Sequence, residues 1–246
     1  MTALLHSRLL QSAGFGHGFG TRRTEPAGYP RDVHILKQVH GERIVVLTTE
    51  GGRRKEEGGR DFQDLEIRFR ELPAEPFRFE EGDALVTDIP GTAIGIRTAD
   101  CLPVLVGDTA TGVAAAIHCG WRSLALGLAE KAIRALLELT RSDATLLVAA
   151  LGPSIGPCCY EVGEEVRKRF GESGFGGGIF LEKTQGLFLD LPAAARIQLQ
   201  AAGLPPDSID EMGGCTSCEP KMFWSFRARR DESRMVSWIR AVKGKE

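Results

Sequence analysis

Histidine is nearly missing: five residues in a chain of 246. A four-copper oxidase core needs about ten imidazole ligands, usually as His-x-His pairs, because imidazole is the ligand suited to copper at such sites. No His-x-His occurs, so that chemistry is excluded, and whatever metal chemistry the chain performs must use one small site. A basic excess is missing too. Lys plus Arg total 31 against 33 for Asp plus Glu, a formal charge of -2, so bulk neutralisation of a phosphate backbone is not available and no nucleic-acid partner is expected. Long apolar runs are absent. The longest, around Leu146–Leu151, falls far short of the roughly 20 residues that span a bilayer, so no membrane partner is expected. The opening MTALLHSRLLQSAG breaks its apolar run at His6 and Arg8. It does not read as a secretory signal, and a cytoplasmic location is the expectation.

What is present has the balance of a globular domain: 42% apolar and 26% charged residues in a chain long enough to bury a core. Glycine is abundant at 30 residues and clusters where turns are expected. Strand composition marks 33–39, 44–48, 84–87, 92–96, 102–106, 113–117, 144–151 and 208–212, with closing strands at 222–226 and 234–239. Residues 102–117 read as strand, turn and strand, a hairpin at the centre of a sheet. Helical patterns cover 123–139, 162–170 and 191–202. Ser123 is the expected N-cap of the first and Asp190 of the last. No repeat and no clean linker divides the chain. The fold class expected is α/β of the α+β type, a single domain over 1–246 with mixed β-sheets and helices packed on the outside. A charged insertion at about 50–81 interrupts it. Its 51–81 part holds seven basic and nine acidic side chains, too balanced to steer a polyanion. It reads as a solvated loop or hairpin; a regulatory or partner-binding insertion is the alternative.

Chemistry concentrates at three positions. His40 ends a strand before Gly41, Cys101 sits between strands in ADCLP, and His118 ends a strand before Cys119-Gly120. Strand ends beside glycine turns lie at a sheet edge, where a pocket can form. Two imidazoles and a thiolate are good zinc ligands and leave a fourth position open. An ion held so polarises a substrate oxygen or acidifies a water. Each residue also has a plainer reading, as a turn histidine or a packed cysteine. Asp100, beside Cys101, is the expected hydrogen-bond partner of a ligand imidazole. A cytidine-type deaminase is not supported: no Glu stands two residues after His118, and Pro157 precedes Cys158-Cys159 rather than a C-x-x-C. Cys158-Cys159 and Cys215-x-x-Cys218 form a second thiol group, open to packing, a disulfide, metal or redox roles.

Arginine supplies anion recognition through its guanidinium fork. Arg97 and Arg122 flank the three ligands, Arg22 follows an N-terminal glycine-rich stretch, and Arg227, Arg229 and Arg230 follow MFWSF. The start of the 123–139 helix adds backbone donors. Surface salt bridging is the plainer role for each.

KQVHG (37–41), GDALVTDIPGTAIGIRTADCLPVLVGD (82–108), HCGWRS (118–123), GPCCYEVGEEV (156–166) and CTSCEP with MFWSF (215–226) together resemble the YfiH-like laccase-domain family, also named polyphenol oxidase and purine nucleoside phosphorylase. The resemblance implies an α/β fold with mixed sheets and a zinc site at His40, Cys101 and His118, with copper disfavoured. It implies phosphorolysis of adenosine, guanosine and methylthioadenosine to base and sugar 1-phosphate, with adenosine deamination at the same site; some relatives edit cell-wall precursors instead. The expected partners are thus a small nucleoside and phosphate, with Arg22 and Arg122 holding the phosphate. A metal-free cysteine hydrolase, with Cys101 as nucleophile and His118 or His40 as base, is the rival. Departures are visible. Cys119 and Ser123 replace the Ala and Gly of the family's HAGWRG, FWSFRARRDES lacks the usual tyrosine, and TRRTEP lacks a glycine pair.

Overall fold

Alternation decides the centre of the fold. Leu102, Val104, Val106, Ala115 and Ile117 belong to one buried cluster, and Leu105, Ala114 and Ala116 to another. Strands apolar on both faces must be covered on both sides. A computed structural model, describing residues 4–25, 28–48, 67–71, 80–174 and 178–244, shows how.

In chain order the elements begin with β1 (Leu4–Leu5), α1 (Arg8–Ser12), β2 (His17–Gly20), β3 (His34–Ile35) and β4 (Ile44–Thr48). Then come β5 (Ile67–Glu71), β6 (Ala84–Thr87), β7 (Ala93–Thr98), β8 (Leu102–Asp108) and β9 (Ala114–Cys119). The first long helical region gives α2 (Trp121–Ala125) and α3 (Leu128–Thr140), followed by β10 (Leu147–Leu151), β11 (Glu161–Val162) and α4 (Glu164–Glu172). The last part holds β12 (Phe180–Lys183), β13 (Gly186–Leu189), α5 (Leu191–Ala201), β14 (Ile209–Glu211), α6 (Phe226–Arg229) and β15 (Met235–Arg240).

A seven-stranded mixed sheet, ordered β14-β10-β8-β9-β6-β4-β5, is the middle layer. One face packs on α2, α3 and α5 through Leu124, Leu128, Ala132, Leu136 and Leu199. The other packs on a five-stranded sheet, β1-β2-β15-β7-β3, through Phe19, Ile94, Ile96 and Ile239. A small β11-β13-β12 sheet flanks them. This is the mixed-sheet α+β architecture with outer helices, and the β8–β9 hairpin lies near its centre.

Several elements differ from the sequence reading. The single helix over 123–139 is two helices, because Gly127 takes φ +78°, a left-handed turn that ends α2 and starts α3. Ser123 is therefore inside α2, whose N-cap is Gly120. Asp190 does cap α5, accepting from the Ala193 amide at 3.0 Å. Of 33–39 only His34–Ile35 is strand, with an isolated bridge from Lys37 to Glu81. Residues 222–226 form a turn into α6, where the Ser225 hydroxyl accepts from the Ala228 amide at 3.1 Å. The charged insertion at 50–81 lies largely outside the described residues; within it, Ile67–Glu71 pairs in parallel with β4.

Candidate metal centre

Register brings the three ligand candidates together. Leu102 pairs with Cys119 and Pro103 with His118, so Cys101 leaves the sheet where His118 lies. β6 pairs with β9 through Ala84 and Ile117, and β4 runs parallel to β6 with Ile44 beside Ala84. The turn before β4, which carries His40, therefore reaches the same sheet edge. His40 Nε2 is 3.8 Å from Cys101 Sγ. The His40 and His118 rings meet edge-on with centroids 4.8 Å apart. One donor atom from each of the three residues lies within 4.8 Å of the others.

One carboxylate organises the centre, and it is not Asp100. Asp83, fully buried, bonds His118 Nδ1 at 2.8 Å through Oδ1, which leaves Nε2 as the ring atom for an ion. The same carboxylate accepts from the amides of Val39 (3.3 Å), His40 (3.0 Å) and Gly41 (2.8 Å). Three consecutive amides converge on one anion only because His40 takes φ +60°, the left-handed geometry of an anion nest. Such backbone costs roughly 1–3 kcal/mol and persists where surroundings over-determine it. The Asp83 carbonyl also accepts the His118 amide at 2.8 Å. Asp100, at φ +89°, is occupied elsewhere: its carboxylate accepts from Thr216 Oγ1 and the Arg227 amide, each at 2.6 Å. Sequence adjacency pointed to Asp100; the only signal for Asp83 was a carboxylate at the start of a strand that would pair with β9.

The donor set suits a metal. Imidazole, thiolate and an imidazole oriented by a carboxylate form the pattern of an ion site and its supporting shell. Gly120 adds a steric observation. A Cβ there would stand 3.1 Å from His40 Cδ2 and 3.3 Å from Cys101 Sγ, so glycine at this position lets those two side chains approach more closely than a larger residue would.

Electrostatics couple the pair. Burial pushes the Cys101 thiol up, but the His118 charge and hydrogen bonds from His118 and His40 outweigh it, bringing it to about 6. Burial pushes His118 down, but the Cys101 thiolate and the Asp83 carboxylate outweigh it, raising it to about 9. Between these values the metal-free site holds a thiolate–imidazolium pair. Cys119, buried beside them, is pushed up by desolvation and stays a thiol. In metal-free protein, iodoacetamide should modify Cys101 readily at neutral pH, with the rate falling only as pH drops through about 6. Saturating zinc should block it. Peptide mass spectrometry reads the outcome; a rate already falling between pH 9 and 8, as for an ordinary thiol near ~8.5, contradicts the pairing.

His40, Cys101 and His118 line a cavity of about 620 Å³. Trp121, Tyr160 and Phe226 supply aromatic walls; Arg97, Arg122, Arg227 and Arg234 supply positive charge, as does Lys37, which is paired with Glu81, against the carboxylates of Asp100 and Glu232. The Arg122 guanidinium lies over the Trp121 ring (4.4 Å) and that of Arg227 over Tyr160 (4.8 Å). Arg227 also donates to the Glu161 carbonyl at 2.6 Å. Of the two arginines expected to hold phosphate, Arg122 lines the cavity and Arg22 does not. Arg22 stacks on Trp224 at 4.0 Å and donates to the Pro220 carbonyl at 2.8 Å.

Residues 21–241 match the profile of the family described as multi-copper polyphenol oxidoreductase laccase. Similar curated proteins include an adenosine deaminase RL5 from an unknown prokaryotic organism, 36% identical over 80% of this chain and 70% of that protein. Another is purine nucleoside phosphorylase YfiH of Escherichia coli (strain K12), 34% identical over 83% of this chain and 72% of its own. The crystal structure of YlmD from Geobacillus stearothermophilus superposes with a TM-score of 0.76 at 25% identity, covering 96% of this chain and 94% of that one. No helix among the described residues is long and apolar enough to cross a membrane. From residue 21 to residue 241, then, the chain belongs to the YfiH-like family whose profile carries the name multi-copper polyphenol oxidoreductase laccase.

Proposed function

We propose that the chain is a zinc-dependent purine nucleoside phosphorylase, acting on adenosine, guanosine and methylthioadenosine, with adenosine deaminase activity at the same site. The observation that carries this reading is the meeting of His40, Cys101 and His118 in a cavity walled by aromatic rings and arginines. The names of the relatives point the same way. Mixed sulfur and nitrogen donors favour zinc, and five histidines cannot build a multi-copper centre.

Phosphorolysis breaks the C1′–N9 bond and forms C1′–O to phosphate through an oxocarbenium-like state. The base leaves with the bonding pair and takes up a proton. Arg122 and Arg227 hold the anion, Arg122 with its guanidinium over Trp121 and Arg227 fixed by its bond to the Glu161 carbonyl. Aromatic faces at Trp121, Tyr160 and Phe226 suit a planar purine. Asp83 keeps the His118 ring in one orientation. A divalent ion at the three ligands supplies Lewis-acid polarisation of an oxygen.

Incubating the protein with adenosine, with and without phosphate, separates the activities. Adenine and ribose 1-phosphate should appear only with phosphate, and inosine in both cases. Absence of all three products overturns the proposal. The low Cys101 thiol also favours a second reading, the metal-free cysteine hydrolase. A covalent acyl adduct on Cys101 would establish that one.

A further inference from the structure

Four of the six cysteines lie outside this centre, and the fold gathers them. Cys158 and Cys159 occupy a turn after β10; Cys215 and Cys218 occupy a turn after β14. An isolated bridge between Ser154 and Cys215 and a bond from the Thr216 amide to the Ser154 carbonyl (3.0 Å) align the two loops. All four sulfurs lie within 4.8 Å of one another. Cys159 Sγ is 3.3 Å and Cys158 Sγ 3.6 Å from Cys218 Sγ.

Packing does not account for them. A free cysteine that serves packing is among the most buried residue types, yet Cys158 and Cys218 are exposed. Sulfurs about 2.3 Å from a central zinc in a tetrahedron stand about 3.8 Å apart, near the Cys158–Cys218 separation of 3.6 Å and inside the 4.8 Å that contains all four. Adjacent cysteines chelate poorly from extended chain, but this pair sits in a tight turn closed by bonds from the Cys159 and Tyr160 amides to the Gly156 carbonyl (3.0 and 2.9 Å). The surroundings suit a dianionic tetrathiolate. The Gly156 amide donates to Cys215 Sγ at 3.3 Å. Lys183 Nζ is held 2.7 Å from the Pro157 carbonyl, beside the cysteine turn.

We propose that Cys158, Cys159, Cys215 and Cys218 bind one zinc ion as a tetrathiolate, a structural site separate from the His40–Cys101–His118 centre. Binding releases one proton from each of the four thiols and involves no oxidant. The ion clamps together two loops that wall the cavity: Tyr160 follows Cys159, and Thr216 bonds the Asp100 carboxylate that also holds the Arg227 amide. This proposal does not depend on the reaction catalysed.

Elemental analysis of the full chain, purified under reducing conditions with zinc, should find about two zinc ions per chain. The His118→Ala chain, with the four cysteines intact, should keep about one. Cobalt in that chain should give the intense thiolate charge-transfer absorption of four sulfurs. Its four cysteines should resist alkylation until a chelator is added. Cys215→Ser/Cys218→Ser should lose the clamp metal and keep the other. Where that variant fails to fold, the zinc and alkylation results on His118→Ala decide. A zinc-free His118→Ala chain with four freely alkylated cysteines overturns the site, as does a disulfide between Cys218 and either Cys158 or Cys159.

Discussion

Replacing His118 with alanine should remove the catalytic metal and nucleoside turnover together. Losing a ligand should exceed the roughly 10–100-fold loss in metal affinity that follows removal of an outer-shell partner. His118 is also buried against Asp83, and breaking a buried ion pair costs about 3–5 kcal/mol, so this variant should melt earlier. His40→Asn isolates the metal effect. His40 is exposed, and asparagine tolerates its left-handed backbone better than alanine. That chain should melt like the parent, while binding zinc weakly and turning over little. Calorimetry beside zinc titration checks the pair. Normal turnover by His40→Asn contradicts a role for the imidazole.

The second large effect belongs to Asp83. Its carboxylate meets three amides and an imidazole in the interior. Asp83→Ala orphans all four groups. Unsatisfied buried donors cost about 1–3 kcal/mol each before relaxation, so this variant should unfold or melt far below the parent. Asp83→Asn keeps the shape but removes the charge that holds the His118 proton, and about 10–100-fold of metal affinity should go with it. Acid should act in the same direction. Burial pushes the Asp83 carboxyl up, but its bonds from His118, Gly41 and His40 outweigh that and leave it below the ordinary range. Its stabilisation is therefore complete above the ordinary carboxylate range, near ~3.9, and is lost as pH falls through the depressed value. Asp83→Asn binding zinc like the parent contradicts the assignment.

Much of the architecture was legible because it rests on local pattern. Residues 102–117 carry apolar side chains on both faces around a glycine turn, and they form the β8–β9 hairpin near the sheet centre. His118, near the end of β9 before Gly120, fits the reading of a strand end beside glycine, whereas His40 sits in the turn before β4, five residues past the short β3, and Cys101 in the link between β7 and β8. What escaped depends on pairing between distant segments. Asp83 is 35 positions from His118 and becomes its partner only when β6 lies against β9. That the Cys158-Cys159 and Cys215-x-x-Cys218 pairs meet in space was not visible until the loops after β10 and β14 were placed. Arg227 rather than Arg22 lines the cavity because it sits in α6, with its guanidinium over Tyr160, whereas Arg22 lies over Trp224. The break at Gly127 was hidden because glycine inside an apolar helical pattern is tolerated until tertiary packing demands a left-handed turn.

The central claim is that His40, Cys101 and His118 hold an ion without which nucleosides are not cleaved. The direct measurement is turnover of adenosine with phosphate by one preparation, first stripped of metal by a chelator and then titrated with zinc. Adenine release should fall to background on stripping and return to its initial rate on titration. A stripped protein that releases adenine at the full rate contradicts the claim.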